Sequence, residues 1–186
     1  MDFFLLIGNK ISPIKLEFTN QLPGTFIPQK AIKSGKDEIL ISSSEGILSI
    51  VTVIKQNKMM FRATWIPLAG CSGIAKSGDG KVVVFAKSKL YSITKSKKLE
   101  FITEVKISGK PSLFIDSRDN KWFIDQSYNK LYKLSSEGLR EICLYSINGT
   151  KAEIIRPSIT SIFEDTEHNL WFGTDGNGVL AYNPAK

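Results

Sequence analysis

The chain has 186 residues, 42% hydrophobic and 23% charged, with a net charge of +7 and a single histidine. That length can bury a sizeable core, and no apolar run approaches the roughly 20 residues a membrane helix needs. The excess lysine is spread along the chain apart from Lys87-Ser88-Lys89 and Lys95-Ser96-Lys97-Lys98. Both clusters read as turns or strand edges, where lysine discourages edge-to-edge association. A solvated face is expected there, with no nucleic-acid partner.

The start, Met1 to Gly8, is apolar but short, with an acid where a signal peptide carries basic residues. It reads as a strand, with neither export signal nor transmembrane segment. Phe4 to Lys10 looks like the tail of a repeat, so a partial blade over 1–28 is expected to supply strands two to four. Lys36–Ile50 (KDEILISSSEGILSI) and Asp79–Ile93 (DGKVVVFAKSKLYSI) align without a gap, 43 residues apart. Ser112–Leu134 (SLFIDSRDNKWFIDQSYNKLYKL) continues the series, with Leu131-Tyr132 on Leu90-Tyr91. Ser161–Pro184 is the last copy and places Trp171 on Trp122, Asn169 on Asn120, Asp165 on Asp116 and Leu180 on Leu131. Further β-prone runs at Met59–Ile66, Leu99–Val105 and Leu139–Tyr145 give each full repeat four strands. Pro- or Gly-bearing crossing loops follow, the longest from Ile147 to Pro157. No segment carries a sustained 3.6-residue apolar period, so almost no helix is expected. Cys71 and Cys143 show no metal-ligand spacing and read as small buried apolar residues.

Four antiparallel strands per repeat of this length is the pattern of a β-propeller blade. The fold class is therefore all-β, built from four-stranded antiparallel blades in a partial propeller of about four to five blades. The expected divisions of this single propeller region are a partial blade at 1–28, blades at 29–66, 71–105 and 111–146, and a partial blade at 158–184. The second strands start near Ile39, Val82, Trp122 and Trp171. The two partial ends overlap rather than complement each other, so part of a larger propeller is expected. Trp122 and Trp171 are expected to pack between blades. Asp116 and Asp165 are expected to accept backbone hydrogen bonds in their turns, and Asn120 and Asn169 to take left-handed turn positions.

The run Ile162-Phe163-Glu164-Asp165, then Asn169-Leu170-Trp171-Phe172-Gly173-Thr174-Asp175-Gly176, then Gly178-Val179 and Tyr182-Asn183-Pro184 closely resembles the two-component regulator propeller repeat. The match is fair over Asp116–Leu134 and weak in the first two copies, which lack the tryptophan. The resemblance implies the extracytoplasmic, periplasmic sensor part of a bacterial hybrid two-component regulator, often concerned with carbohydrates. It would reach a membrane only through other parts of a parent receptor.

Function in such a scaffold sits on loops. The turns joining strands two and three, with the crossing loops, would gather Ser44 and Glu45, Lys87, Asp125 with Gln126 and Tyr128, Asp175 with Asn177, and Arg156. Tyr128 could stack on a sugar ring while Asp125, Gln126 and Asn177 bond hydroxyls. Expected partners are a carbohydrate or other small ligand and neighbouring propeller repeats or a second copy. No cofactor, metal or catalytic residue is expected. Asp119-Asn120-Lys121-Trp122-Phe123 followed by Asn129-Lys130-Leu131 is also similar to streptogramin lyases, whose chemistry uses histidines. Here the lone histidine, His168, falls in a turn. A propeller interaction scaffold or inactive remnant is the alternative reading.

Overall fold

Runs of valine, isoleucine and aromatics bounded by Gly, Asn and Asp turns build the chain entirely from strands. The computed structural model describes residues 3–7, 10–148 and 151–183, and among them there is no helix. A hairpin of β1 (Phe3–Ile7) and β2 (Lys10–Ile14) precedes the short β3 (Leu16–Phe18). Blade I follows as β4 (Lys30–Lys33), β5 (Glu38–Ser43), β6 (Gly46–Lys55) and β7 (Lys58–Pro67). Blade II is β8 (Cys71–Lys76), β9 (Val82–Ala86), β10 (Lys89–Ile93) and β11 (Leu99–Glu104). Blade III is β12 (Ser112–Ile115), β13 (Lys121–Asp125), β14 (Lys130–Ser135) and β15 (Gly138–Ile142). A separate hairpin, β16 (Leu144–Asn148) with β17 (Lys151–Ile155), leads to blade IV: β18 (Ser158–Glu164), β19 (Leu170–Asp175) and β20 (Val179–Tyr182). Within each blade successive strands pair antiparallel. Ile39, Val82, Trp122 and Trp171 all lie on second strands.

The blades stack face to face, and their second strands show it. All five residues of β9 are buried, as they must be in a strand covered on both sides. Leu40, Ile47 and Ile66 of blade I meet Ile74, Val82 and Val84 of blade II. Phe85 of blade II meets Phe123 of blade III edge to face, centroids 5.1 Å apart. Trp122 of blade III packs on Phe172 and Tyr182 of blade IV at 6.0 and 5.8 Å. Such aromatic pairs add to what their burial alone contributes. The inner strands β8 and β12 come close at Gly73, where a Cβ would lie 2.6 Å from that of Leu113. Only glycine lets β8 and β12 approach so nearly.

Several expectations are corrected. The segment 1–28 does not form strands two to four of a further blade. Instead β3 pairs parallel to the outer edge of β7, and Leu16, Leu22 and Phe26 pack on Leu48, Ala63 and Trp65 of blade I. Asn20 fixes this segment by exchanging two 2.7 Å hydrogen bonds with the Trp65 backbone. The physical reason is that an otherwise unpaired edge and an otherwise uncovered apolar face are both met by one piece of chain. The crossing stretch from Ile147 to Pro157 contains most of the β16–β17 hairpin. Cys71 is buried, and burial pushes its thiol pKa up to about 11, but Cys143 is exposed. The aligned Leu180 and Leu131 do not superpose. Four residues separate β13 from β14, whereas three separate β19 from β20. Val179 therefore takes the place of Leu131, and Leu180 turns toward blade III.

Trp122 is fully buried as expected, but Trp171 is 39% exposed. Blade IV covers the face of blade III that carries Trp122, and no described sheet covers the matching face of blade IV. The burial of β19 accordingly alternates where that of β9 is continuous. Trp122→Ala is expected to cost about 3–5 kcal/mol. Trp171→Ala should cost less than about half of that, its ring being partly in water already. Urea denaturation of the two variants beside the parent chain measures both.

Candidate functional site

The last two repeats share one turn. In blade III the Asp116 carboxylate accepts the backbone N–H of Arg118 and Asn120, the Asn120 side-chain amide and, at 2.8 Å, the Trp122 indole N–H. In blade IV Asp165 accepts the N–H of Glu167 and Asn169, the Asn169 amide and, at 2.7 Å, the Trp171 indole N–H. The aspartate role matches the expectation. The left-handed residues, however, are Asp119 (φ 64°) and His168 (φ 65°), one position before each asparagine. The asparagines instead bind the aspartate. Each motif is a brace that ties the first turn to the second strand.

Adjacent first turns also touch. Glu164 accepts both the backbone N–H (2.7 Å) and the hydroxyl (2.6 Å) of Ser117, and His168 Nδ1 lies 2.9 Å from that hydroxyl and 3.3 Å from Glu164. Glu164, Ser117 and His168 Nδ1 form a clasp between blades III and IV. At the same end of blades I and II, Glu38 accepts Ser34, Ser49 and the Lys97 ammonium. Desolvation would raise the Glu38 pKa, but the bonds from Lys97, Ser49 and Ser34 together bring it below the ordinary carboxylate value. A groove of about 480 Å³ lies beside it, floored by Leu40, Val82 and Ile93. Sequence reasoning did not pair Glu38 with Lys97, because they lie 59 residues apart and at positions that the repeat does not relate.

The candidate ligand residues lie at the opposite end, on the turns between second and third strands and on the crossing loops. The turns of blades I to III lean on crossing loops beside them. The Ser44 and Glu45 carbonyls accept the N–H groups of Gly70 and Leu68. Lys87, at φ 48°, lays its stem against Gly70. Asp125 is buried against Gly109 and accepts the Ser127 N–H, so its carboxylate braces the turn rather than facing solvent. The Gln126 amide reaches the Ile159 carbonyl at 3.4 Å. Tyr128 is 58% exposed, and Glu45, Lys87, Asp175 and Asn177 are also exposed. Arg156 stands apart from them, beside Asn129 and Lys130 on a cavity of only about 20 Å³. The other seven residues thus share a rim, with Arg156 to one side of it. Lys30 was also missed. From the innermost strand of blade I its ammonium donates to the Leu113 carbonyl of blade III at 2.9 Å, and desolvation there lowers its pKa. Among the described residues no group of three or more His, Cys, Asp or Glu side chains could hold a metal ion, and no helix is long and apolar enough to cross a membrane.

The Asp165 carboxyl is held down to about 2, first of all by the Trp171 indole N–H and further by Asn169 and Glu167. A carboxyl depressed on folding stabilises the folded state above its unfolded pKa. That contribution fades as pH falls from about 4 through the folded value. NMR titration of Asp165 should show a midpoint near 2. In Trp171→Phe, which removes the strongest donor, the midpoint should move up toward the ordinary carboxylate value.

The two component regulator propeller family model matches residues 154–176. The comparison with curated proteins gave no match. Among solved structures, the chain is similar to a catalytically inactive virginiamycin B lyase from Staphylococcus aureus with quinupristin, at 14% identity over 97% of this chain and 61% of that one, TM-score 0.59. It is also similar to the extracellular domain of a putative one component system from Bacteroides thetaiotaomicron, at 17% identity over 94% of this chain and 24% of that one, TM-score 0.60. An extracellular domain from the same organism, of a putative hybrid two component system, matches at 16% identity over 84% of this chain and 21% of that one, TM-score 0.54. The chain spans about three-fifths of the lyase's length. At these identities the likenesses establish the fold. Residues 154–176, which hold the Asp165-Asn169-Trp171 brace, thus match the two component regulator propeller repeat within a chain of propeller blades.

Proposed function

We propose that this chain is the non-catalytic, ligand-sensing propeller portion of a bacterial hybrid two-component regulator, working in the periplasm. The regulator-type repeat over residues 154–176, built as blade IV, carries this reading. Its ligand is a carbohydrate or another small, polar, hydroxyl-rich molecule. Tyr128 offers an exposed ring for the C–H face of a sugar, with Gln126 beside it and Asn177, Asp175, Glu45 and Lys87 on neighbouring turns of the same rim. The turns of blades I to III are braced by crossing loops, so they present these groups with little ordering cost on binding.

The fold similarity to a lyase does not carry its chemistry here. The one histidine lies at the end of the stack away from this rim, with Nδ1 engaged by Ser117 and Glu164. Incubated with quinupristin, the chain is expected to leave the compound unchanged by mass spectrometry, and turnover would overturn the non-catalytic reading. Titration calorimetry against a panel of oligosaccharides tests sensing. At least one should bind, with Tyr128→Ala weakening it by about tenfold or more, on the order of the loss of one stacked ring. If no member of the panel binds, the sensor reading fails and the scaffold reading takes its place.

A further inference from the structure

The groove of about 480 Å³ between blades I and II lies where the interface of blades III and IV holds an aromatic ring. Every blade closes its first turn with the same backbone hydrogen bond. The N–H groups of Ser34, Ser77, Asp116 and Asp165 donate to the carbonyls of Glu38, Lys81, Asn120 and Asn169. That bond sets the equivalence of the blades residue by residue. Leu40 of blade I stands where blade III has Trp122, each being the second residue after its turn closes. Val82, paired with Ile93, stands where blade IV has Leu170, paired with Tyr182. Between III and IV the Trp122 indole fills the space against Leu170 and Tyr182. Between I and II all three positions carry a smaller side chain, and Leu40, Val82 and Ile93 floor the groove. Blade II also has no tryptophan to set against blade III, but there the first turns draw together. A Cβ on Gly78 would lie 3.9 Å from the Ser117 carbonyl.

We propose that this groove binds a small, flat aromatic molecule bearing an N–H donor, its ring over Leu40, Val82 and Ile93 and its N–H on Glu38. Three observations choose this ligand. First, the apolar floor is the counterpart of the surface on which the Trp122 ring rests. Second, the polar partner is kept. In blade III the indole N–H donates to the Asp116 carboxylate, which also accepts the Asn120 amide. Blade I holds Ser34 and Glu38 at those two positions with their parts exchanged, and Ser34 donates to Glu38 Oε2 at 2.8 Å. Glu38 Oε1 accepts Ser49 and Lys97, whereas Oε2 accepts Ser34 alone among the described residues. A carboxylate accepts about four donors, so one place is left on Oε2. Third, the charges around the groove balance, Lys81, Lys95 and Lys97 against Glu38, Asp79 and Glu100, and so select a neutral ring. The volume is that of a small-molecule site. Both walls are blades packed on each other, and the site shares no residue with the rim at the opposite end, so either reading can fail alone.

Methyl-detected NMR on the full chain tests this, with indole as the probe. Indole should bind with a Kd of about 1 mM or tighter, within what a fragment of its size supplies, and shift the methyls of Leu40, Val82 and Ile93 first. N-methylindole has the same ring without the donor. It should bind at least about tenfold more weakly, the loss of one hydrogen bond to a charged acceptor. Leu40→Trp places in blade I the side chain that blade III carries, and should abolish indole binding with unchanged circular dichroism. If Leu40→Trp does not fold, Ile93→Tyr, at a half-buried position, blocks the same groove with the same loss expected. Absence of indole binding, equal binding of N-methylindole, shifts centred on methyls away from the groove, or binding that survives in the folded blocked variant would each overturn the proposal.

Discussion

The structure depends on covering both faces of the second strand in every blade. A lone four-stranded sheet has one face too many for its own side chains to shield. Blade II meets the requirement completely, with the whole of β9 buried between blades I and III. The rest of the architecture follows from meeting it elsewhere. Phe123 and Trp122 point to opposite neighbours, and the segment through Leu22 and Phe26 folds back over blade I. Stability in such an arrangement is largely a sum of interfaces, so each blade's order is partly a property of the next one.

Polar contacts keep the stacked sheets in register. Apolar faces alone would tolerate sliding, because burial has no direction. The aspartate braces fix each first turn to its own second strand, while Glu164 with Ser117 and Glu38 with Lys97 fix one blade to another. At the other end the turns grip the crossing loops through Gly70 and Gly109. The two rims are thus built differently. One carries side-chain clasps between blades, and the other carries exposed side chains on turns held by backbone contacts.

Much of this was legible in the residues. The spacing of the repeats placed all four second strands, and the aspartate's part in each first turn was readable, though the bonds it receives from the asparagine amide and the indole were not. What could not be read were the things that depend on neighbours. Trp122 and Trp171 are the same letter in the same motif, yet one is buried and the other is 39% exposed, because among the described residues only Trp122 has a blade packed over it. A turn one residue shorter reversed Leu180, which no alignment of letters weighs. The candidate rim was found as a set of turns, but Asp125 reads as an available carboxylate until Gly109 is seen against it. Glu38 with Lys97 and Lys30 with Leu113 join positions that the repeat does not relate, so periodicity was blind to them.

Lys30 has a mechanical meaning. The buried apolar clusters between the described blades each join nearest neighbours, and a column of that kind can fan open or closed at little expense, as a solenoid does. The Lys30 ammonium skips a blade, reaching from the innermost strand of the first to that of the third. It works as a tie rod on the inside of a curve. Lengthening it means straightening the arc, and that would strip a partly desolvated ammonium of its carbonyl. The bend of the first three blades thereby gains a brace that spans the middle one, and a change in its charge or reach would bear on curvature.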